Sequence, residues 1–270
     1  MRQAFLIIAH NEFGVLRELV SALDDAGNDI YIHIDRKVRD IPVVKTEHSH
    51  LSMTGERLDV RWGTVSQIRV ELLLLETARR NGPYDFYHII SGTHLPLAGL
   101  QELNSFYGSH LGQEVMRFWP EDEGDADFKL RRFHFFKGCG LLWKASLKIQ
   151  KLLGIRHLTK ESFVKTDNWI SIGEKACSFL CSEKRRILRK YRWSHCGDEY
   201  FAASELKARE GFDLFNYDKL LYVRFRGANP ETFPLTAREG LKSTGCLWAR
   251  KFRTEQDDTQ GNDTRLADPA

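Results

Sequence analysis

Short apolar runs alternate with helical segments through the first third of the sequence. Residues 4–9 form an apolar run, residues 12–26 place their large apolar side chains on one helical face, and residues 29–34 form a second run. The same order recurs with a helical stripe over residues 69–80 and an apolar run over residues 86–90. Strands that alternate with helices favour a mostly parallel mixed sheet flanked by helices. The sequence therefore predicts an α/β fold.

Polar residues directly follow three of the predicted strands. Asn11, Asp35 and Ser91 stand at or just beyond the ends of the apolar runs. The carboxyl ends of parallel strands meet at one edge of a sheet, where open α/β folds bind their ligands, so we expect these residues to lie close together. His10 and His33 are near the same strand ends. Each histidine has two open interpretations, contact with a ligand or an ordinary position in the core or at its rim.

The composition narrows the class of protein. A chain of 270 residues, 42% of them hydrophobic, is large enough to bury a full core, and we predict one domain over residues 1–253. The net charge of +3 argues against a dedicated nucleic-acid-binding protein. The five cysteines are odd in number and are interpreted as reduced thiols. No signal peptide or transmembrane segment is recognised, so we expect a cytoplasmic protein, with a peripheral position at the inner face of the plasma membrane left open.

The composition changes over residues 128–160, where basic residues interleave with aromatic and leucine side chains. We predict a partly helical insert, which either lies against anionic lipid headgroups or forms an ordinary subdomain with solvated lysines and core aromatics. Beyond it we predict a strand at residues 169–172, a helix at 174–191 and a strand at 220–225. Residues 254–270 are polar and are predicted to form a disordered tail.

An acidic pair, Asp198-Glu199, stands at the start of an apolar helical segment that continues through Ala203. A carboxylate held at such a position can take a proton from a hydroxyl group, which is the task of a general base. The alternative is a solvated carboxylate that stabilises the positive end of the helix dipole. Glu199 is the candidate base.

No strong metal or phosphate motif is present in the sequence. A glycine-rich phosphate loop, a paired-cysteine zinc pattern and a Gly-x-Ser-x-Gly elbow are all missing. The one Asp-x-Asp match, Asp125-Ala-Asp127, follows an acidic loop rather than a strand, and we interpret it as a solvated charge run. The motifs thus give no support for a metal site or another cofactor. An anionic ligand would then need fixed cations, for which the late-segment candidates are Arg224, Arg226, Arg250 and Lys251.

Several segments, taken in order, resemble the core-2/I-branching N-acetylglucosaminyltransferase family, which also contains the peptide O-xylosyltransferases. The resemblance spans residues 4–253. It implies a single GT-A-like nucleotide-sugar-binding domain, an inverting mechanism, a UDP-sugar donor and no metal requirement. The segments are Ala4-Phe-Leu-Ile-Ile-Ala-His-Asn11, Ile32-His-Ile-Asp35, Val60-Arg-Trp-Gly63 with Ser66, Tyr84-Asp-Phe-Tyr-His-Ile-Ile-Ser-Gly-Thr-His-Leu-Pro-Leu97, Asp198-Glu199 and Leu247-Trp-Ala-Arg-Lys-Phe252.

The resemblance also implies roles for individual residues. Glu199 matches the catalytic base, and Lys251 matches the basic residue that contacts the donor diphosphate in place of a metal, with Arg224 as its companion. The nucleotide-binding positions are matched by His10, Asp35, Trp62 and Gly63, and the loop beneath the donor by Ser91, Gly92 and Pro96. The predicted sugar or acceptor site contains Pro96, Trp169, Ser171 and Asp198.

The sequence thus predicts an inverting, metal-independent glycosyltransferase. Its donor would be a UDP-sugar, with N-acetylglucosamine as the first choice, and its acceptor a hydroxyl of a glycan or lipid-linked oligosaccharide. Transfer of xylose from UDP-xylose is the alternative within this class, because a few groups around the sugar decide donor choice. A non-catalytic nucleotide- or carbohydrate-binding protein is the alternative outside it.

Overall fold

The computed structural model describes residues 1–227 and 229–254, and strands and helices alternate along them. The strands are β1 Gln3–Ala9, β2 Asn28–Ile34, β3 His50–Met53, β4 Phe86–Ser91, β5 Leu95–Pro96, β6 Gln113–Met116, β7 Ser171–Ile172, β8 Asp213–Asn216, β9 Leu221–Tyr222, β10 Phe225–Arg226, β11 Asn229–Pro230, β12 Phe233–Pro234, β13 Trp248–Ala249 and β14 Phe252–Arg253. The helices are α1 Phe13–Leu23, α2 Val65–Arg79, α3 Leu100–Ser109, α4 Glu123–Lys129, α5 Gly140–Leu153, α6 Glu174–Ser182, α7 Lys184–Lys190, α8 Phe201–Lys207 and α9 Arg238–Leu241.

Within the described ranges, one seven-stranded sheet occupies the centre, in the order β3-β2-β1-β4-β7-β6-β8. Its neighbours pair in parallel except at β7, which is antiparallel to both β4 and β6. In the β1–β2 ladder, Gln3 lies opposite Asn28 and Ala9 opposite Ile34. The predicted α/β class, with a mostly parallel mixed sheet flanked by helices, is therefore confirmed.

Side chains of β1 alternate between two buried faces. Ala4 and Leu6 pack into a cluster that includes α2 and α6, whereas Phe5 and Ile7 pack on the opposite face with α1 and α3. Each fully buried Leu, Ile or Phe side chain contributes about 1.5–3 kcal/mol relative to exposure. Burial on both faces explains why this strand reads as an unbroken apolar run rather than as an alternating one.

A chain of buried polar groups crosses the middle of the sheet. His88 bonds the side-chain oxygen of Gln3 at 3.0 Å and the Ser171 hydroxyl at 2.8 Å. Ser171 in turn donates to the Tyr107 hydroxyl at 3.1 Å, and the Trp248 indole bonds the same hydroxyl at 3.3 Å. These bonds satisfy groups that would otherwise be costly to bury. Ser171 thus lies in the core with its hydroxyl engaged, which does not support its predicted contact with a sugar.

The structure corrects two predicted elements. The single helix expected over residues 174–191 is two helices, α6 and α7, because the backbone of Glu183 leaves the helical region. The break lets Arg186 and Lys190 of α7 reach the buried carboxylate of Glu205, with Lys190 Nζ 2.8 Å from it. The strand expected over residues 220–225 is interrupted, with β9 and β10 as its short pieces.

The first residue of the predicted tail contacts the residue that precedes α1. The backbone N–H of Thr254 donates to the Glu12 carboxylate at 2.8 Å. The remainder of the predicted tail, residues 255–270, lies outside the described residues. The insert at residues 128–160 contains α5 and is partly helical, as predicted. Across the described ranges, no helix combines the length and apolar character needed to cross a membrane.

Candidate functional site

The carboxyl ends of β1, β2 and β4 form one edge of the sheet. Ala9 is in register with Ile34 of β2, and Ile8 is in register with Ser91 of β4. The predicted positions of Asn11, Asp35 and Ser91 at strand ends are therefore confirmed. This edge is where an open α/β sheet receives a ligand.

Asp35 organises the loop beyond β2. Its carboxylate accepts hydrogen bonds from the backbone N–H of Lys37 at 2.8 Å, from Lys37 Nζ at 3.0 Å and from the N–H of Val60 at 3.0 Å. Asp35 is buried, and these bonds fix the chain that leads to Trp62. His33 is a core residue, because it is fully buried and its Nε2 accepts from the N–H of Leu58 at 2.9 Å. Burial lowers the pKa of His33 to about 4.

The Trp62-Gly63 turn connects this loop to the segment that precedes Glu199. The exposed ring of Trp62 meets the His195 ring edge-on, with their centroids 5.1 Å apart. The carbonyl of Gly63 accepts from the N–H of Cys196 at 3.0 Å and from Lys137 Nζ. The turn thus places a large aromatic surface beside His195, in the segment that precedes the acidic pair.

Both the backbone angle at position 63 and the atoms around it require glycine there. Its φ is +67°, and a Cβ atom there would lie 2.7 Å from the His195 ring. We expect Gly63→Ala to lower the free energy of unfolding by at least about 2 kcal/mol, because left-handed strain and overpacking add. Urea denaturation measures this change. Gly55→Ala is the matched control, since no atom lies within 4 Å of its added Cβ; equal effects of the two substitutions would contradict the argument.

The loop after β4 is held tightly. Ser91 Oγ bonds His94 Nδ1 at 2.7 Å and Thr93 Oγ1 at 3.0 Å. A Cβ at Gly92 would lie 2.8 Å from the Cβ of Ala9, so only glycine fits between β1 and this loop. Pro96 is buried in β5 and pairs with Trp248 of β13. Hydrogen bonds and close packing therefore hold this loop in place beneath the sheet edge, which we call the floor of the site. Pro96 lies in the protein interior below it.

The predicted sugar site around Trp169 and Ser171 has little free space. These two residues line a cavity of about 10 Å³, which they share with residues of β4, α3 and the chain near β9 and β13. Such a volume has room for about one water molecule. A sugar would therefore not fit inside this cavity.

Two cations approach the sheet edge from the end of the chain. The guanidinium of Arg250 lies 5.0 Å from the centroid of the Trp169 ring, and its buried Nε has no hydrogen-bond partner among the described residues. Burial lowers the pKa of Arg250 to about 10, with Asp167 opposing. Burial and the charge of Arg250 also lower the pKa of Lys251, while Glu12 opposes. The two partly buried cations repel each other, and a bound anion would offset this repulsion.

His10 belongs to the same charged group. The residue is exposed overall, but its ring loses hydration, and this loss and then the charge of Lys251 lower its pKa. Lys37 and Arg250 lower it further, whereas Asp35 raises it. His10 is thus near enough to Asp35 and Lys251 for both charges to act on its pKa.

Arg224 is placed differently from its predicted role. Its guanidinium forms an ion pair with Glu231 and lies 5.3 Å from the centroid of the Phe233 ring. The side chain is largely exposed and its charge already has a partner. Arg250 is adjacent to Lys251 and, unlike Arg224, has no carboxylate within ion-pair distance in the described chain.

Glu199 lies in a 3-10 turn, Gly197–Glu199, just before α8 rather than inside the helix. Its side chain is 28% exposed, and its Oε2 accepts from Lys129 Nζ at 2.7 Å, with Lys165 Nζ at 3.9 Å. Burial opposes the charge of Lys129, but Glu199 and Asp125 outweigh that effect and raise its pKa. The carboxylate is thus positioned by a cation while one side of it stays open to solvent.

Asp125 is not the solvated charge that the sequence suggested. Its Oδ2 lies 3.2 Å from Lys129 Nζ and 2.7 Å from Lys165 Nζ, and it also accepts from the Tyr200 hydroxyl. Burial opposes its ionisation, but Lys165 and Tyr200 outweigh burial and lower its pKa. Asp125 therefore holds the two lysines that surround Glu199. The sequence interpretation failed because two of these partners, Lys165 and Tyr200, lie far away along the chain.

Asp198 lies behind Glu199 and is almost completely buried. The side-chain amide of Asn168 donates to its Oδ2. Burial and then the negative charge of Glu199 raise the pKa of Asp198 to about 7. Glu71 of α2 is also buried, and burial together with Asp198 raises its pKa well above the usual range. Because Asp198 is buried, its position favours a role in holding the neighbouring residues rather than direct contact with an acceptor.

Residues 166–169, which we call the bridging segment, connect the acidic and basic groups. The N–H of Thr166 donates to the carbonyl of Glu199 at 2.8 Å, Asn168 bonds Asp198, and Trp169 lies against Arg250. Three residue steps span at most about 11 Å. Glu199 and Arg250 therefore contact the same short segment, at Thr166 and at Trp169.

Sequence reasoning did not single out Lys129, Lys165 or Asn168. One signal was available, because Asp125 and Lys129 are four residues apart and such a spacing on a helix permits an ion pair. Nothing local indicated that this pair would meet Glu199. Arg250 was one of four candidate cations, and only the structure separates it from the others.

The described residues contain no group of three His, Cys, Asp or Glu side chains arranged to hold a metal ion. No known family model matches the sequence. A search of curated proteins likewise finds no match.

Proposed function

We propose that this protein is an inverting glycosyltransferase with a GT-A-like fold that moves a sugar from a UDP-sugar to a hydroxyl of a glycan or a lipid-linked oligosaccharide. N-acetylglucosamine is the first choice of sugar. We also propose a cytoplasmic location, which is supported by the five cysteines, since they form no disulfide in the described structure.

One observation carries the proposal, namely that the bridging segment contacts both the residue with a partly exposed carboxylate, Glu199, and the cation group. Glu199 is held by Lys129 at 2.7 Å. Arg250 and Lys251 lie at the other end of residues 166–169 without a carboxylate within ion-pair distance in the described chain. A transferase needs both groups, a base for the acceptor and positive charge for the leaving diphosphate.

The mechanism follows from these positions. Glu199 takes the proton of the acceptor hydroxyl as its oxygen attacks the anomeric carbon of the donor. The bond between that carbon and the diphosphate oxygen breaks, and UDP leaves with its electron pair. Arg250 and Lys251 stabilise the negative charge that develops on the diphosphate, while the floor around Ser91 and Gly92 supports the donor. Attack from the face opposite the leaving group inverts the anomeric configuration.

The proposed role of Arg250 and Lys251 leads to a prediction about metals. Two fixed cations beside the diphosphate would perform the charge neutralisation that a divalent ion performs elsewhere. We therefore expect transfer to proceed at an unchanged rate in excess EDTA, measured as UDP release. A metal-dependent glycosyltransferase assayed in the same buffer is the control. Loss of activity that manganese restores would rule out the metal-free mechanism.

The direct test is UDP release by the purified protein from a panel of UDP-sugars, with and without simple sugar acceptors. Release from UDP-N-acetylglucosamine above all other donors would support the first choice, and release from UDP-xylose would support the alternative donor. Measurable UDP binding without release from any donor, even with lipid-linked acceptors, would favour a non-catalytic nucleotide-binding protein.

A further inference from the structure

Helix α5 carries exposed apolar side chains on its outer side. Leu141 and Leu152 are 85% and 84% exposed, and Leu142, Ile149 and Leu153 are exposed as well. These five residues, which we call the apolar face of α5, recur at helical spacing over 14 residues. An exposed apolar surface of this kind marks a contact site, because water is an unfavourable environment for it.

The inner side of α5 is anchored to the rest of the insert. The side chain of Gln150 accepts from the N–H of Phe133 and donates to its carbonyl, both at 2.8 Å. The Trp143 indole donates to His134 Nδ1 at 3.1 Å. These bonds fix the rotation of the helix about its axis. The apolar face therefore points away from the protein. A rotation of α5 that buried this face would break these bonds.

Charge indicates what covers this face. Lys144, Lys148 and Lys151 are exposed and lie together on one flank of the apolar face, at helical spacing. Residues 128–160 contain no Asp or Glu, although they contain many Lys and Arg residues. A helix with an apolar face, flanking lysines and no acidic residues has the pattern of a helix that lies in the surface of an anionic bilayer. Lysine stems can extend along the apolar layer while their charges reach the phosphates.

We propose that α5 docks the protein on an anionic lipid bilayer. The apolar face enters the boundary between headgroups and acyl chains, and Lys148 and Lys151 contact the lipid phosphates. The helix lies in the plane of the surface and does not span the membrane.

Ring contacts place this docking surface near the candidate site. The His195 ring lies 5.9 Å from Trp143 of α5 and 5.1 Å from Trp62, between ring centroids. The N–H of His195 also donates to the carbonyl of Lys129 at 2.7 Å, and Lys129 binds Glu199. A bilayer under α5 would thus bring a lipid-linked acceptor to the side of the protein that carries Glu199. This consequence rests on the proposed function, whereas the lipid contact itself does not.

The test is sedimentation of the full chain with vesicles of phosphatidylcholine alone and of an equal mixture with phosphatidylglycerol. We expect binding to the anionic vesicles, weakened by salt, and binding at least about tenfold weaker to the neutral ones. Leu141→Ser with Leu152→Ser is expected to weaken binding at least about tenfold. Lys148→Ala with Lys151→Ala is expected to weaken it about fivefold for each lysine removed. The matched control is Ile41→Ser with Val43→Ser, which changes two exposed apolar residues outside the insert.

Three results would overturn the docking proposal. They are no binding to anionic vesicles, equal binding by the wild type and the Leu141→Ser, Leu152→Ser protein, and a dimer in solution that the same substitutions abolish. The last result would show that a second copy of the chain covers the face. Circular dichroism checks that each variant is folded, and the lysine variant provides an independent test. Because the assay contains neither donor nor acceptor, its failure would leave the proposed transfer reaction untouched.

Discussion

Glu199→Gln is expected to lower the rate of sugar transfer by about 100- to 10,000-fold, the range that a positioned general base contributes. Glutamine keeps the shape of the side chain and can still accept a hydrogen bond from Lys129, which lies 2.7 Å from the carboxylate. The fold and the cation group should therefore be preserved, while no side chain remains to accept the proton of the acceptor hydroxyl. UDP release gives the rate, and titration calorimetry with UDP should show affinity within about twofold of the wild type.

The control for this substitution is Glu210→Gln, which removes the same charge from an exposed position beyond α8. It should leave transfer unchanged. Undiminished transfer by Glu199→Gln would remove this residue from the role of base. A parallel loss of UDP binding would instead indicate that Glu199 supports the donor site.

Asp198→Asn is expected to flatten the pH dependence of stability. Burial and the neighbouring Glu199 raise the pKa of Asp198 from 3.8 to about 7, so the native state keeps this proton while the unfolded chain loses it. Between these two pH values the native state binds more protons, and the free energy of unfolding falls as the pH rises. The difference between these two pKa values corresponds to about 4 kcal/mol. Stability from this group is complete below the lower value and is lost as the pH rises through about 7.

Asparagine cannot ionise, yet its side-chain oxygen can accept the bond from Asn168 that Asp198 now accepts. The variant should therefore be more stable than the wild type above pH 7, and the difference should shrink as the pH falls. Urea unfolding at several pH values across the window measures it. Asp40→Asn, at an exposed position, is the control. An unchanged decline in the Asp198→Asn protein would assign the pH dependence to another group, with the buried Glu71 as the next candidate.

The strands of the sheet edge were predictable because their information is local. β1, β2 and β4 are buried on both faces, so each appears as an apolar run, and the polar residues after them necessarily fall at the carboxyl edge. The break between α6 and α7 was not predictable in this way. The break accompanies the ion pairs that Arg186 and Lys190 form with the buried Glu205 of another helix, α8.

The same distinction holds for the candidate site. Glu199 and Lys251 were identified from their positions in short motifs, but the surroundings of both come from distant parts of the chain. Lys129 reaches Glu199 from 70 positions away, and its ion pair depends on how the insert packs beside α8. Arg250 and Arg224 have the same side chain and differ only in their contacts. Arg224 is paired with Glu231, whereas Arg250 has no carboxylate partner in the described residues.

By itself, the sequence determined the α/β class, the strands of the sheet edge and the residues that follow them, because hydrophobic periodicity is a property of neighbouring residues. It also determined the basic, acid-free composition of residues 128–160. Only the tertiary structure decided that Asp125 holds the lysines around Glu199, that Ser171 is buried in the core and that the leucines of α5 face outward. The physical reason is that charge pairing and burial depend on distances in space, which residues far apart along the chain set together.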